Sequence, residues 1–408
     1  MGIFIKLAWR NLFRNSRRTI LASLAIGVGL AALIFTDALV KGMEDNMIQS
    51  ATASFLGEGQ IHREGYRKTQ EVEMTIANLD TVIRQLDNSD IVAEYTRRMM
   101  SFGMATSPSN VQAVNIVGVD PAQEQPLSQI DEAVVEGNYF IGNNSRDILI
   151  GKELAEILKV ELGKRLVVTL AEAETGDLVQ EMFRISGIFR FGIDEMDRGM
   201  AFIRLPKAQS MLGLQGEAHE IAIKFSQQGI GQDQDNPFWR QFSKYGNEAL
   251  GWIELQPQLA SMMEYSRFST FFVGIILFGV VVLGIINTLF MSLHERMFEF
   301  GVLRAVGTKP VEMGKLIVYE AAALSVVSII VGIVLGYLIT WITMVNGIDY
   351  TGIQFAGVTF RKMLYPVMTW RQFVEYPVYV FLFTSITGLY PAWYAARMQP
   401  AEAMRKSF

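Results

Sequence analysis

The stretch FFVGIILFGVVVLGII at residues 271–286 carries no polar side chain, and it decides the class of fold. A helix needs about 20 mostly apolar residues to cross a hydrocarbon core of about 30 Å. The stretch lies within a longer apolar segment, which predicts a membrane-spanning helix over residues 268–293. A buried helix in the core of a soluble protein is the alternative, because such a helix is also apolar on all sides.

Three further apolar runs predict spanning helices at residues 19–40, 315–345 and 373–396. The last is the weakest, because it contains Pro377 and Pro391, and proline breaks or kinks helices. The first run could instead be a cleaved signal peptide. Its basic leader is long, however, and no clear cleavage site follows it, so an uncleaved membrane anchor is the better interpretation.

Basic residues near the helix ends predict the orientation, because cytoplasmic loops of membrane proteins carry an excess of Lys and Arg. Such residues cluster in the segments 1–18, 294–314 and 397–408. These segments are therefore expected in the cytoplasm, together with both termini. The segment 41–264 and the loop 346–372 are then expected on the opposite side of the membrane.

The segment 41–264 has the composition of an ordinary globular protein and predicts an extracytoplasmic α+β domain inserted between membrane helices 1 and 2. Strands are predicted at 111–119, 165–170, 179–188, 200–205 and 220–225, and short helices at 79–86, 152–158 and 207–212. The segment has 33 Asp and Glu against 20 Lys and Arg, which argues against a nucleic-acid partner. The predicted fold is a membrane α-helical protein with four transmembrane helices and this large domain.

Residues 1–18 alternate apolar and basic side chains at helical spacing. One interpretation is an amphipathic cytoplasmic helix that lies on the inner leaflet. The other is a basic flank that only sets the orientation, and the sequence does not decide between them.

Two kinds of residue stand out within the apolar runs. Gly332 and Gly336 have the spacing that lets two membrane helices pack closely, although Gly is common in membrane helices anyway. Asp37 and Glu320 are acids inside or beside apolar runs, which makes them functional candidates. Both lie near a predicted interface, so simple hydration is the alternative.

The sequence has no recognisable catalytic or metal-binding motif. It contains no G-x-x-x-x-G-K-[ST] phosphate loop, no H-E-x-x-H and no G-x-S-x-G elbow, and it has only three His and no Cys. We therefore predict no catalytic residue, no metal site and no cofactor in this chain.

The segment HERMFEFGVLRAVG at residues 294–307 alternates charged and apolar residues at helical spacing, and Gly307 stands where a helix C-cap is expected. It resembles the E-R-x-x-E-[FI]-G-x-L-R-A-x-G coupling segment of FtsX-like ABC permeases. This family includes MacB, FtsX and the lipoprotein-releasing subunits LolC and LolE. Further matches stand in order at WRNL (9–12), ILIGKELA (148–155) and YPAWYAAR (390–397).

The resemblance implies a permease subunit in the bacterial inner membrane. A separate cytoplasmic ABC ATPase dimer would bind ATP and Mg, and the second permease subunit would be the same chain or a paralogue. ATPase closure would push the coupling segment and move the extracytoplasmic domain. The residues implied in ATPase coupling are Glu295, Arg296, Glu299, Gly301, Leu303, Arg304 and Gly307.

The size of the insert and the lack of an ATPase on this chain favour the LolC/LolE-like arrangement, whose function is extraction of lipoproteins. A periplasmic carrier or a lipoprotein cargo is then an expected partner, together with membrane lipids. The expected lining residues for acyl chains are Leu33, Ile34, Val40, Phe268, Phe271 and Phe272. Three alternatives stay open: release of a peptide or small molecule, FtsX-like regulation of a periplasmic partner, and a receptor or scaffold without an ATPase.

Overall fold

The computed structural model describes residues 2–14, 16–140, 142, 144–227, 229–350, 354–355, 358–359 and 363–397. The chain divides into two compact units. The first, the helical unit, comprises Met1–Asp45, Met263–Asp349 and Met363–Phe408. The second, the sheet unit, comprises Asn46–Met262 and Tyr350–Lys362.

The helices and strands follow in chain order. The helices are α1 (Gly2–Arg14), α2 (Ser16–Ala51), α3 (Tyr66–Thr69), α4 (Leu79–Asp87), α5 (Pro121–Glu124), α6 (Lys152–Leu158), α7 (Asp194–Gly199), α8 (Leu205–Leu212), α9 (Pro237–Phe242), α10 (Trp252–Leu255), α11 (Pro257–Glu295), α12 (Met297–Ala305), α13 (Pro310–Asn346), α14 (Gln372–Thr387) and α15 (Leu389–Arg397). The strands are β1 (Gly59–Arg63), β2 (Val92–Thr106), β3 (Val111–Val119), β4 (Val134–Gly137), β5 (Asp147–Gly151), β6 (Arg165–Ala171), β7 (Leu178–Phe189), β8 (Met200–Arg204), β9 (Glu220–Phe225), β10 (Asn247–Gly251), β11 (Gln354–Phe355) and β12 (Val358–Thr359).

Three helices in the described part of the chain are long and apolar enough to cross a membrane: α2 with its continuation, α11 and α13. They correspond to the first three predicted spans, but all three extend beyond the predicted bounds. In particular, α2 continues past Val40 to Ala51, and a π-helical turn at Thr52–Leu56 follows it. Hydropathy marks where the apolar band ends, whereas the helix ends only where its backbone hydrogen bonds do.

The fourth apolar run does not form the continuous helix predicted over 373–396. It is divided between α14 and α15, with the interruption at Gly388. Pro391 supplies a physical reason, because in a continuous helix its ring would clash with the carbonyl of Thr387 and it has no N–H to donate. Close packing also occurs at this point, since a Cβ on Gly388 would lie 2.7 Å from the Cβ of Ala321.

Small residues bring α2 and α13 together within the helical unit. A Cβ on Gly332 would lie 2.8 Å from the Cβ of Leu30, and a Cβ on Gly336 would lie 3.1 Å from Cδ1 of Ile34. The glycines therefore allow a distance between the two helices that larger residues would prevent.

The sheet unit is the mixed α+β domain predicted between the first and second membrane helices. Its main sheet has ten described strands in the order β10-β1-β9-β2-β3-β8-β5-β7-β4, and β6 pairs with β2 and β7. Strands β11 and β12 form a separate two-stranded sheet. The β3–β8 and β5–β7 pairs are parallel, and the other pairs are antiparallel. The five predicted strands correspond to β3, β6, β7, β8 and β9, and the three predicted short helices correspond to α4, α6 and α8.

Five strands of this sheet were not predicted, namely β1, β4, β5, β10 and β2, and β2 is the longest strand. Its residue Arg98 is fully buried, where a period-two pattern would require an apolar side chain. Arg98 Nε donates to Glu124 Oε2 (3.0 Å), and Arg98 Nη1 donates to Glu220 Oε1 (2.7 Å). Burial alone would lower the pKa of Arg98, but the two carboxylates raise it. The buried arginine is therefore paired, and it ties β2 to α5 and β9.

His62 on β1 lies close to this charge cluster, with its Nε2 3.9 Å from Glu220 Oε2. Burial lowers the pKa of His62 to about 3, and the positive charge of Arg67 acts in the same direction. The ring is consequently neutral in the folded domain at pH values where an unfolded chain would protonate it.

We expect the fragment 46–262 to fold alone and to be less stable at pH 5.5 than at pH 7.5. Below pH 6.5 the unfolded chain gains a proton at His62 that the folded domain does not accept, which costs at most about 1.4 kcal/mol per pH unit. Glu220, whose pKa is raised by burial, acts with the opposite sign. The measurement is therefore the difference in thermal midpoint between wild type and His62→Gln at the two pH values. An equal pH dependence in both proteins would contradict the assignment.

Candidate functional site

The candidate site is α12, the helix formed by the predicted coupling segment. A break at Arg296 separates it from α11, and it ends at Ala305. Gly307 has φ +103°, a left-handed conformation that favours glycine. The N–H of Thr308 donates to the carbonyl of Leu303 (3.0 Å), as in a Schellman C-cap. The glycine therefore ends the helix at a defined residue.

Arg296 holds α12 against α13. Arg296 is only 8% exposed, and its Nη1 donates to Glu320 Oε1 at 2.6 Å. Its Nε donates to Glu299 Oε2 at 3.1 Å, and its guanidinium carbon lies 5.1 Å from the ring centroid of Phe300. An arginine this buried requires such partners, because an unpaired buried charge is very costly.

The terminal helix α1 joins the same network. Asn11 Nδ2 donates to Glu320 Oε1 (2.6 Å), and Arg14 Nη2 donates to Glu299 Oε1 (2.6 Å). Three helices thus meet through one set of polar side chains. We call this set the coupling clamp; its members are Asn11, Arg14, Arg296, Glu299 and Glu320.

The charges in the coupling clamp stabilise each other. Burial alone would raise the pKa of Glu299, but its bonds to Arg14 and Arg296 lower it. Burial alone would lower the pKa of Arg296, but Glu320 and Glu299 raise it. Both groups therefore stay ionised at neutral pH.

The side of α12 that lies away from the buried Phe300 and Gly301 is exposed and mostly apolar. Phe298, Val302 and Val306 lie four residues apart, and so they share one face of the helix. Val306 is 82% exposed, and Leu303 beside this face is 40% exposed. This exposed face, formed by Phe298, Val302, Leu303 and Val306, is called the docking face below.

The remaining predicted coupling residues have different surroundings. Gly301 is buried, whereas Glu295 and Gly307 are exposed. The side chain of Arg304 lies outside the described residues, as does the segment 398–408. The clamp therefore contains Arg296 and Glu299 of the predicted set, and the docking face contains Leu303.

The predicted lining residues fall into two groups. Leu33 and Ile34 on α2 are buried, and Ile34 lies against Gly336 of α13, so packing inside the subunit occupies both. Val40 is half-buried. The aromatic residues of α11 are exposed, namely Phe268 (63%), Phe271 (63%) and Phe272 (54%).

Helix α11 is the least covered of the three long apolar helices. Only 11% of the most apolar stretch of α11 is buried, whereas the corresponding share is 44% for α2 and 28% for α13. Most of the apolar surface of α11 is therefore not covered by other parts of the described chain.

A second polar cluster joins α2 to α14. Asp37 accepts hydrogen bonds from Gln372 Nε2 (2.7 Å) and Tyr376 Oη (2.9 Å). Lys41 Nζ lies 3.4 Å from the same carboxylate and donates to Thr369 Oγ1. The acid singled out in the sequence thus holds two helices together, and we call this set of five residues the Asp37 cluster.

Sequence reasoning found Glu320 and Asp37 but missed their partners. Both acids were visible because an acid within an apolar run requires a partner. Asn11 lies 309 positions from Glu320, and Gln372 lies 335 positions from Asp37. No local pattern connects residues at such distances.

Comparisons with known proteins give a consistent result. The model for the FtsX-like permease C-terminal region matches residues 271–400, and the model for the MacB-like periplasmic core domain matches residues 19–229, about half of the chain. The chain is 22% identical to the lipoprotein-releasing system transmembrane protein LolC of Xylella fastidiosa, over 94% of this chain and 92% of that protein. It is 20% identical to the corresponding LolE of Haemophilus influenzae, over 94% of this chain and 93% of that protein.

A solved structure is also similar. The periplasmic region of MacB from Actinobacillus actinomycetemcomitans matches with a TM-score of 0.35 and 10% identity, and the match covers 50% of this chain and 92% of that chain.

We expect Glu320→Ala to destabilise the protein by about 3 kcal/mol, because it leaves Arg296 buried without its partner. Glu299→Ala is the matched control, and it should cost less than about 1 kcal/mol because Glu299 is 43% exposed and therefore screened by solvent. The double variant Arg296→Met with Glu320→Leu should regain most of the stability, since it removes both charges. Unfolding midpoints of the full-length protein in detergent measure all three. Equal midpoints for the two single variants would contradict a buried pair.

Proposed function

This chain belongs to the FtsX-like ABC permeases with a MacB-like periplasmic core domain, and on that premise we propose that it extracts lipoproteins from the bacterial inner membrane. Membership makes it a transport subunit of an ABC transporter and not a catalytic ATPase. The proposal also includes four membrane passages with both termini in the cytoplasm, α14 and α15 together forming the fourth. The basic flanks of the apolar runs support that orientation.

The coupling role of α12 rests on two features. The docking face supplies exposed apolar contact area for an ATPase subunit, and the coupling clamp joins the helix to α1 and α13 through Glu299 beside that face and Arg296 at the start of the helix. A separate ATPase dimer binds ATP and Mg in this proposal, and closure of the dimer displaces α12. Because the Arg296–Glu320 pair is buried and ionic, α13 has to follow that displacement or the pair has to break. Helix α1 follows through the Arg14–Glu299 pair, whose side chains are about half exposed.

The choice of lipoprotein as cargo rests on two observations. The LolC and LolE relatives match over more than nine tenths of their own length. In addition, α11 carries a cluster of exposed aromatic side chains, with the ring centroids of Phe268 and Phe272 5.7 Å apart. Such a surface suits the acyl chains of a lipidated protein, and a second permease subunit would close the site from the other side.

We expect Leu303→Asp with Val306→Asp to abolish stable association with the ATPase. Both side chains are exposed, so that the substitutions leave the fold intact while placing charges in an apolar contact. Leu178→Asp, at a 72% exposed position in the sheet unit, is the control and should leave the association unchanged. Co-purification of the tagged permease, with a thermal melt of each variant, gives the result. Retention of the ATPase by the double variant would overturn the docking role.

The cargo is tested by gentle purification of the tagged permease followed by mass spectrometry of bound acylated peptides and lipids. We expect an ATPase and lipoproteins, and we expect Phe268→Ser with Phe271→Ser to lose the lipoproteins while keeping the ATPase. Phe298→Ser, a change on the docking face, is the reverse control, because it should weaken binding of the ATPase and leave the bound lipoproteins unchanged. An ATPase together with a periplasmic hydrolase or a pump component, and no lipoprotein, would replace extraction by regulation or efflux.

A further inference from the structure

Helix α1 packs against the rest of the helical unit through one narrow face. Ala8 and Leu12, four residues apart, are 1% and 8% exposed. Leu12 belongs to a core cluster that contains Ile26, Leu30 and Ile285. Together with Asn11 of the coupling clamp, these contacts use about a third of the circumference of the helix.

The rest of α1 carries two adjacent rows of exposed side chains. Ile5, Trp9 and Phe13 form an apolar row with spacing four, and each is between 44% and 59% exposed. The next row, also with spacing four, is Lys6, Arg10 and Arg14. With 3.6 residues per turn, these two rows lie side by side along the helix.

The charge of this region has one sign. No Asp or Glu precedes Asp37 in the sequence, and Lys6 and Arg10 are exposed. An apolar row that includes Trp and is flanked by basic residues is the pattern of helices that lie in the headgroup region of a bilayer. Basic residues beside a membrane surface attract anionic lipids.

We propose that α1 lies on the cytoplasmic leaflet and binds anionic phospholipid headgroups through Lys6 and Arg10, with Trp9 and Phe13 inserted between the lipids. Arg14, the third basic residue of the row, differs from the other two because Glu299 of α12 binds it. The bilayer and α12 therefore both contact α1, on neighbouring parts of its surface.

This arrangement has a consequence for coupling, which rests on the proposed function. Arg14 and Asn11 join α1 to Glu299 and Glu320, so that a lipid contact that holds α1 also limits the movement of α12. The anionic lipid content of the leaflet thus sets how far the coupling helix follows the ATPase.

The lipid contact is measured on the full-length protein in nanodiscs that contain phospholipids brominated on the acyl chains, which quench nearby tryptophan. The chain has six Trp, so the contribution of Trp9 is the difference between wild type and Trp9→Phe. We expect this contribution to be quenched more strongly by brominated phosphatidylglycerol than by brominated phosphatidylcholine. High salt should remove the difference, because the attraction is screened.

The double variant Lys6→Gln with Arg10→Gln should raise the phosphatidylglycerol content needed for half-maximal quenching several-fold. Lys68→Gln with Arg240→Gln, which removes the same charge from exposed positions of the sheet unit, is the matched control and should change nothing. Quenching of Trp9 that is equal for both lipids, or absent for both, would overturn the proposal and leave α1 as a basic flank or a surface for another partner.

ATP hydrolysis by the reconstituted complex gives an independent readout. We expect phosphatidylglycerol to change the hydrolysis rate of wild type and of the control variant. The rate of Lys6→Gln with Arg10→Gln should not respond to phosphatidylglycerol. In phosphatidylcholine, that double variant should hydrolyse ATP at the wild-type rate. If no ATPase assembles, the proposed function fails, while the quenching result still decides the lipid contact. A lipid effect that persists in the double variant would overturn the regulatory consequence.

Discussion

The buried ion pair between Arg296 and Glu320 is the interaction on which the helical unit depends where α12 meets α13. Two charges that are both about one tenth exposed are stable only as partners, since either one alone would remain desolvated and unpaired. The pair fixes α12 to α13, and its neighbours Asn11, Arg14 and Glu299 extend the attachment to α1. A short helix that is too polar to span a membrane thereby becomes a rigidly held part of the unit.

The Asp37 cluster applies the same principle to α2 and α14. Low-dielectric surroundings strengthen a satisfied polar cluster and penalise a broken one, which makes both clusters resistant to separation. Helix α11 is joined to α2 by the Arg267–Glu44 pair at 3.9 Å, in which Arg267 is largely exposed, and little of the apolar surface of α11 is buried. In the proposed transport cycle, this contrast makes α11 the helix whose contacts with lipid, cargo or a second subunit change at the lowest cost.

Much of the architecture could be predicted from local patterns. Long apolar runs located α2, α11 and α13, and alternating residues located β3, β6, β7, β8 and β9, because both patterns reflect burial of neighbouring positions. Strand β2 was missed because Arg98 interrupts its pattern, and that arginine is tolerated only because Glu124 and Glu220 come from other elements. The division of the fourth run was missed because hydropathy does not register the missing N–H of Pro391.

The sequence by itself determined the membrane class, the position of the inserted domain, the family resemblance and the amphipathic segment that forms α12, since each depends on the order and composition of neighbouring residues. Only the tertiary structure decided which of those residues act together. It paired Arg296 with Glu320, brought Arg14 to Glu299 across 285 positions, and placed Ile34 in the packed interior while leaving Phe268 exposed. The reason is physical. The type of a residue and its neighbours in sequence show that a side chain has to be buried or paired, but its partner comes from whichever helix the fold places beside it.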